Sequence, residues 1–490
     1  MIPDDVGYNP AILDVECGTR HLAAAAQLSA SPADWAVHRV AGRWKTDPMV
    51  TNQAGAQRSL VTLIDSYCRR TCRAVLDQHP GSSVSSPLGI WLLLAACSTA
   101  ASGDNQRAIE EALGCTAAEA TTLLSRFLKA PPPALHSALA LWVRSADRTS
   151  PLVDWSSTLP PQVKRGPIPS QKVADAWADR HTMGLINRFP LITEVTRLVL
   201  ASALATKVTW QERREVVSAA EHVRSSSPWA DRVQNVLLDR SPVVPFMLAR
   251  TEAAGVVAVH FAVATESLAV VSVASDPTLD RAVAFEAAYE IAERCRDDDL
   301  AGARCSLFDL PVGEGHSWQI TEEKVRSYTA GEHSEAVESA VLAAWSVRGD
   351  LDLKTGGFGV EPALDALLGL LGPSPLGDES DAIQSAIASY TPTGFEAAAF
   401  DVLTLSTGTT RPMERGLERR ARLIFDHPYA AIALAGTTSD FKRARAGHTD
   451  MFCLPLFSVW VAEPGEPGVK TGRELAPFQR WRIDPTAGAD

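Results

Sequence analysis

The stretch from Ser389 to Pro428 constrains this chain more than any other. It leaves a strand-like segment, Ala386 to Thr391, and turns at Pro392 and Gly394. It then passes the small-residue patch Ala397-Ala398-Ala399 into chain rich in Ser, Thr and Gly. Only at Ala421-Arg422-Leu423-Ile424-Phe425 does an apolar run return that can re-enter a core. Connections of this length are uncommon inside a compact domain, and those that occur are functional or disordered. The fold must therefore anchor the chain on both sides of a long exposed loop, a geometry suited to bait.

Several motifs stand in order around this loop. Ser85-Ser86-Pro87-Leu88-Gly89-Ile90 comes first, then Gly103-Asp104-Asn105 running into Ile109-Glu110-Glu111-Ala112-Leu113-Gly114. Asp175-Ala176-Trp177 with Thr182-Met183-Gly184-Leu185-Ile186 leads into Leu198-Val199-Leu200-Ala201-Ser202-Ala203 and Lys207-Val208-Thr209-Trp210. Gly394-Phe395-Glu396-Ala397-Ala398-Ala399 opens the loop, Phe425-Asp426-His427-Pro428-Tyr429 follows it, and Pro455-Leu456-Phe457-Ser458-Val459-Trp460-Val461-Ala462-Glu463-Pro464 comes last. This ordered set resembles the serpins, the serine protease inhibitor family, in a divergent, bacterial-type form. It spans roughly residues 57 to 464. From Ala230 to Leu351 the similarity is scattered, as at Thr321-Glu322-Glu323-Lys324-Val325.

The resemblance implies an α+β serpin fold: mixed β-sheets, a helical N-terminal cluster and an exposed reactive-centre loop at about 394–424. It sets a serpin domain at 56–465 between an N-terminal extension, 1–55, and a C-terminal tail, 466–490, neither with an assigned role. It also implies function. A serine protease cuts the loop, and the hinge side (Gly394, Phe395, Glu396, Ala397, Ala398, Ala399, Asp401) inserts as a new strand that traps the acylated enzyme. The region that opens the sheet is expected at Ser86, Ser202, Trp210 and Gln384. Trp210 reads both as a core aromatic and as the residue packing where the hinge enters.

The scissile bond has two placements. Counting forward from Gly394 gives Gly408-Thr409; counting back from Phe425 gives Leu417-Glu418. Between them, Pro412 shields Arg411 from trypsin-like attack and leaves Arg415 and Arg419 as basic baits. The same arginines also read as a solvated, charged strand edge.

Departures from the family pattern bear on insertion. Phe395 and Asp401 stand where small residues or Thr are usual; period-2 alternation puts both on one face, and the resemblance implies that this face turns inward. An unpaired buried carboxylate costs several kcal/mol, so this hinge is expected to insert poorly. Pro392 replaces a common Glu, Gln384 a His and Ser202 an Asn; the last two keep hydrogen-bonding capacity. Glu396 to Leu403 also has good helix propensity, and a loop resting as a helix need never insert. A non-inhibitory binding or storage protein on the same fold is the alternative.

Bulk properties fit. The 490 residues are 46% hydrophobic and 21% charged, enough for a large core. A net charge of −12 disfavours nucleic acid and anionic membrane surfaces as partners. A monomer with no cofactor and no metal is expected. The eight cysteines lack framework spacing, and Cys68 and Cys72 read as small hydrophobes rather than a metal or redox pair. Met1 to Asp5 begins no basic, then apolar, leader, so a cytoplasmic location is expected, with secretion the alternative from the family. Neither GxSxG nor GxxxxGK[ST] occurs, and Gly357-Phe358-Gly359 lacks a third glycine, so an enzyme is not expected.

Period and caps place the elements. Leu60 to Leu76 keeps helical spacing up to Pro80, Ser86-Pro87 starts a buried helix, and Asp104 or Asn105 caps the next. Strands are expected at His136–Arg144, Leu198–Thr209, Val256–Val263 and Leu268–Ala274, with helices at Lys172–Phe189, Leu279–Arg296 and Pro362–Leu371. Leu198–Thr209 and Ala386–Thr391 should share one main sheet, and Ala430 to Val461 should form a C-terminal hairpin.

Overall fold

In the computed structural model, helix α1 (Pro48–Gln78) begins ahead of residue 56 and buries Leu60, Ile64, Tyr67, Cys68, Val75 and Leu76 on one face. The described residues are 48–190, 192–193, 195–240, 246–297, 299–327, 333–373, 382–395, 414–436 and 453–465. Strand β1 (Ser83–Ser85) leads to α2 (Pro87–Cys97). There the Ser86 hydroxyl accepts from the Gly89 N–H and Pro87 takes the first helical position. Helix α2 is apolar on all sides and almost wholly buried. Helix α3 (Gly103–Leu113) has Ser102 at its N-cap position, two residues ahead of Asp104 and three ahead of Asn105, and stops at Gly114 in the left-handed conformation. A capping box from Thr116 and Glu119 opens α4 (Ala117–Lys129).

Strand β2 (His136–Val143), α5 (Ser150–Thr158), β3 (Lys164–Pro167), α6 (Gln171–His181), β4 (Leu198–Ala205) and β5 (Val208–Thr209) follow. The Trp177 helix is shorter than its sequence suggests. Met183 (φ 54°) and Gly184 (φ 79°) turn the backbone left-handed directly after Thr182. Trp142 of β2 meets Trp177 of α6 edge-on at 5.3 Å, with Phe189 packed on both.

Next come β6 (Glu215–Ser218), β7 (Asn235–Asp239), β8 (Met247–Thr251), β9 (Gly255–Val263), β10 (Leu268–Ala274), α7 (Arg281–Arg296) and α8 (Leu300–Ala303). The last elements are β11 (Gly313–Glu314), β12 (Trp318–Ser327), β13 (Ser334–Leu342), β14 (Trp345–Asp352), α9 (Val360–Leu371), β15 (Ile383–Tyr390), β16 (Gly394–Phe395), β17 (Glu414–Phe425), β18 (Tyr429–Ala435) and β19 (Leu454–Val461).

Two sheets have six strands each, in the orders β1-β19-β18-β10-β9-β8 and β11-β12-β17-β13-β7-β6. The first holds the expected C-terminal hairpin, β18 against β19, and its strands β10, β18 and β19 are buried throughout. Within the second, β17 runs parallel to β13 and antiparallel to β12.

The remaining strands correct one expectation. Leu198–Thr209 and Ala386–Thr391 do not share a continuous ladder: β4 belongs to a three-stranded set, β3-β2-β4, and β15 pairs with β14 alone. Among the described residues no hydrogen bond joins β4 to β15, so each turns an unpaired backbone edge toward the other.

Candidate functional site

The opening between β4 and β15 is the site, and three groups of side chains define its floor, its wall and its head. At the floor, Gln384 of β15 clasps the start of α2. Its Oε1 accepts from the Ser86 N–H and its Nε2 donates to the Ser86 carbonyl, both at 2.8 Å. The Ser86 hydroxyl donates to the Leu456 carbonyl of β19 at 2.8 Å. Gly89, one α2 turn on, lies under both strands. A Cβ there would stand 3.0 Å from Leu204, 3.4 Å from Gln384 Nε2 and 3.5 Å from Ser202 Oγ. Ser86, Ser202 and Gln384, chosen from sequence, thus converge, and a larger residue at 89 would press the Leu204 side chain by a few tenths of an ångström.

Along the wall, a narrow cleft with a cavity volume of about 10 Å³ is lined by Thr182, Leu204, Ala205, Ile387, Phe395 and Phe457. It runs between the facing edges and reaches the C-terminal end of α6. Apolar side chains dominate it, and the unpaired N–H and C=O groups of β4 and β15 stand at its rims.

Trp210 forms the head, away from the Ser86 cluster. Its Nε1 donates to the Thr391 carbonyl at 3.0 Å, and its ring meets Tyr390 at 5.0 Å. Gly394 and Phe395 pair antiparallel with Thr209 and Val208. Phe395 is 6% exposed and sits between the rings of Trp210 (6.4 Å) and Trp345 (6.2 Å). The first hinge residues are therefore already docked. Phe395, expected to hinder insertion, fills a socket built for an aromatic ring. Beneath this head, Arg214 stacks over Trp210 and pairs with Asp239 at 2.8 Å, and His260 Nε2 lies 3.0 Å from the same carboxylate. Burial holds the His260 imidazole below its ordinary range.

Glu396, Ala397, Ala398, Ala399, Asp401, Gly408 and Thr409 lie outside the described residues. Arg415 and Leu417 fall within β17, where Arg415 is the ladder partner of Arg326 and Leu417 of Lys324; backbone held in a ladder opens to a protease less readily than a loop does. Arg419 is likewise engaged, donating to Glu322 and to the carbonyls of Leu307 and Leu310.

A hydrolytic arrangement is not formed among the described residues. Ser317 Oγ and His427 Nε2 are 2.9 Å apart, but Ser317 is fully buried and His427 Nδ1 faces the Pro428 carbonyl. The neighbouring carboxylate of Asp426 is held by Arg224 instead of the imidazole. Sequence reasoning picked out Asp426 and His427 within a motif but not their partners Ser317 and Arg224, and it missed the Arg214–Asp239–His260 group, since those residues carry no local motif.

No family model and no curated protein match the chain. Solved structures do. Human thyroxine-binding globulin complexed with thyroxine covers 84% of this chain and 100% of its own, at TM-score 0.55 and 14% identity. Glycosylated human kallistatin covers 85% and 100%, at 0.52 and 14%. Tengpin, a thermophilic serpin in its native state, covers 86% and 96%, at 0.50 and 14%. With the split between β4 and β15, the docked hinge and the two six-stranded sheets on the page, these likenesses establish that the chain has the serpin fold.

Proposed function

We propose that this chain is a single-use inhibitor of a serine protease, not an enzyme, which offers residues 396–413 as bait. Cleavage frees their N-terminal part to enter between β4 and β15. The observation that carries this reading is the pair of unpaired, facing strand edges with Gly394 and Phe395 already paired at their head. One added strand would satisfy both edges at once, and the docked hinge supplies its first two residues. Extending the Phe395–Val208 register residue for residue sets Asp401 opposite Ser202. There the carboxylate would meet the Ser202 hydroxyl and the Gln384 amide rather than an apolar floor, which lowers the expected desolvation cost.

The test is incubation with a panel of trypsin-like and elastase-like serine proteases. A covalent, denaturant-resistant complex and a cleaved chain with raised Tm are expected. Cleavage within 396–413 that leaves Tm unchanged, with no complex, would point to a binding or storage protein instead.

A further inference from the structure

His316 and Ser317 sit in the turn between β11 and β12, and Asp426 to Pro428 form the turn between β17 and β18. Four contacts run in one line through them. His316 Nε2 lies 3.1 Å from the Val256 carbonyl of β9 and His316 Nδ1 lies 2.8 Å from Ser317 Oγ. Ser317 Oγ lies 2.9 Å from His427 Nε2, and His427 Nδ1 lies 3.0 Å from the Pro428 carbonyl. Each contact needs one hydrogen. The two carbonyls only accept, so each must receive a ring N–H, and the hydroxyl can donate to one ring only.

Two neutral imidazoles bring one N–H each and the hydroxyl brings a third, so three hydrogens face four contacts. One added proton completes the line whichever ring receives it. A second would aim two cationic N–H groups at one oxygen and leave the Ser317 hydrogen without an acceptor in a fully buried place.

The surrounding charges favour the same number. Asp426 is matched by Arg224, which also donates to the Gly315 and His316 carbonyls and faces Glu314. From the turn after β10, Asp276 is the carboxylate that faces both imidazoles, one anion shared between the two rings. Burial holds both histidines below their ordinary range, so the proton arrives only in acid.

We propose that His316, Ser317 and His427 form a one-proton latch joining the β17–β18 turn to β9 and to the β11–β12 hairpin. The folded protein takes one proton on the pair, and a second releases the turn. Once acid has placed that one proton on the folded pair, the unfolded chain, already past the ordinary histidine range near 6.5, binds two protons on these residues and the folded chain one. Each pH unit of acidification then lowers the folding constant tenfold through this pair. Two histidines kept neutral would give a hundredfold loss, and two freely titrating ones none.

The test counts protons. Urea unfolding of the full chain and of the His316→Gln, His427→Gln double variant is followed from pH 7.5 to 4.5. At the acid end of this range a tenfold difference in slope per pH unit between the two is expected; none, or a hundredfold persisting there, overturns the proposal. Nitrogen-15 NMR of the histidines keeps the question open to test if the double variant does not fold. In the unmodified protein the two rings should share one proton at a common midpoint, and in Ser317→Ala they should titrate separately. Two full protons taken up by the folded, unmodified protein, or rings that move together without the hydroxyl, would overturn it.

Discussion

The two ends of the 396–413 segment are held very differently. On the N-terminal side, β16 pairs with β5 over two residues, Gly394 and Phe395, beside an open groove. On the C-terminal side, β17 is an interior strand, paired with β12 from Trp318 to Ser327 and with β13 from Ser334 to Leu342. Opening the short edge pair breaks one two-residue ladder and uncovers Phe395, whereas extracting a central strand breaks two ladders and uncovers Ala421, Leu423, Ile424 and Phe425, all buried. Any large movement of the segment should therefore begin at the hinge and proceed into the groove, with β17 as the fixed end.

The largest effect should come from loosening the fixed end. Leu423 is 0% exposed, with Trp318 and Ala340 as its ladder partners. Leu423→Ala should cost about 2–5 kcal/mol in urea unfolding. A loss under about 1 kcal/mol would mean that β17 is not held as its burial implies. Next in size is Gln384→Ala, which removes the acceptor of the Ser86 N–H and one of the donors to its carbonyl, leaving that carbonyl to Gly89 and Ile90, and frees β15 from α2. About 1–3 kcal/mol should be lost, with faster hydrogen exchange along β15 and little change along β17. Equal loosening of both strands would erase the contrast.

The sequence made one of these anchors legible and obscured the other. Ser86, Gln384, Trp210 and Phe395 belong to motifs or to departures from them, so the groove's floor and head could be named in advance. Apolar alternation also placed β9, β10, β18 and β19. Strand β17 was harder, because Glu418-Arg419-Arg420 looks like solvated chain and nothing local marks where a loop gives way to a ladder. Arg415 and Leu417, read from sequence as loop, stand in that strand. Its partner β12 is polar through Thr321-Glu322-Glu323-Lys324, four exposed residues held by backbone bonds that leave no side-chain pattern. The Arg224–Asp426 and His260–Asp239 pairs join distant segments, which no periodicity can reveal.

A smaller prediction concerns acid at the groove's head. His260 is buried and its folded pKa is depressed, so the unfolded chain binds a proton that the folded chain refuses. Its contribution is full above about pH 6.5 and is lost as pH falls toward the folded value, by up to ~1.4 kcal/mol per pH unit. His260→Gln should make the acid slope of stability shallower. An unchanged slope would show that this histidine does not carry it.

The smallest expected effect separates two explanations of why β17 is firm. Arg420 reaches Glu338 of β13 at 2.8 Å and Glu418 at 3.0 Å, and both Arg420 and Glu338 are exposed by about two-fifths or more of their side chains. If such ion pairs fastened the strand, Glu338→Ala would loosen it. Exposed pairs are screened by solvent and typically contribute less than about 1 kcal/mol, whereas the ladder on each side and the apolar residues beneath it are untouched by the change. Unfolding free energy should fall by under about 1 kcal/mol, and amide protection from Leu417 to Ile424 should stay as it was. Lost protection there would make the fixed end electrostatic, and high salt should then loosen it too.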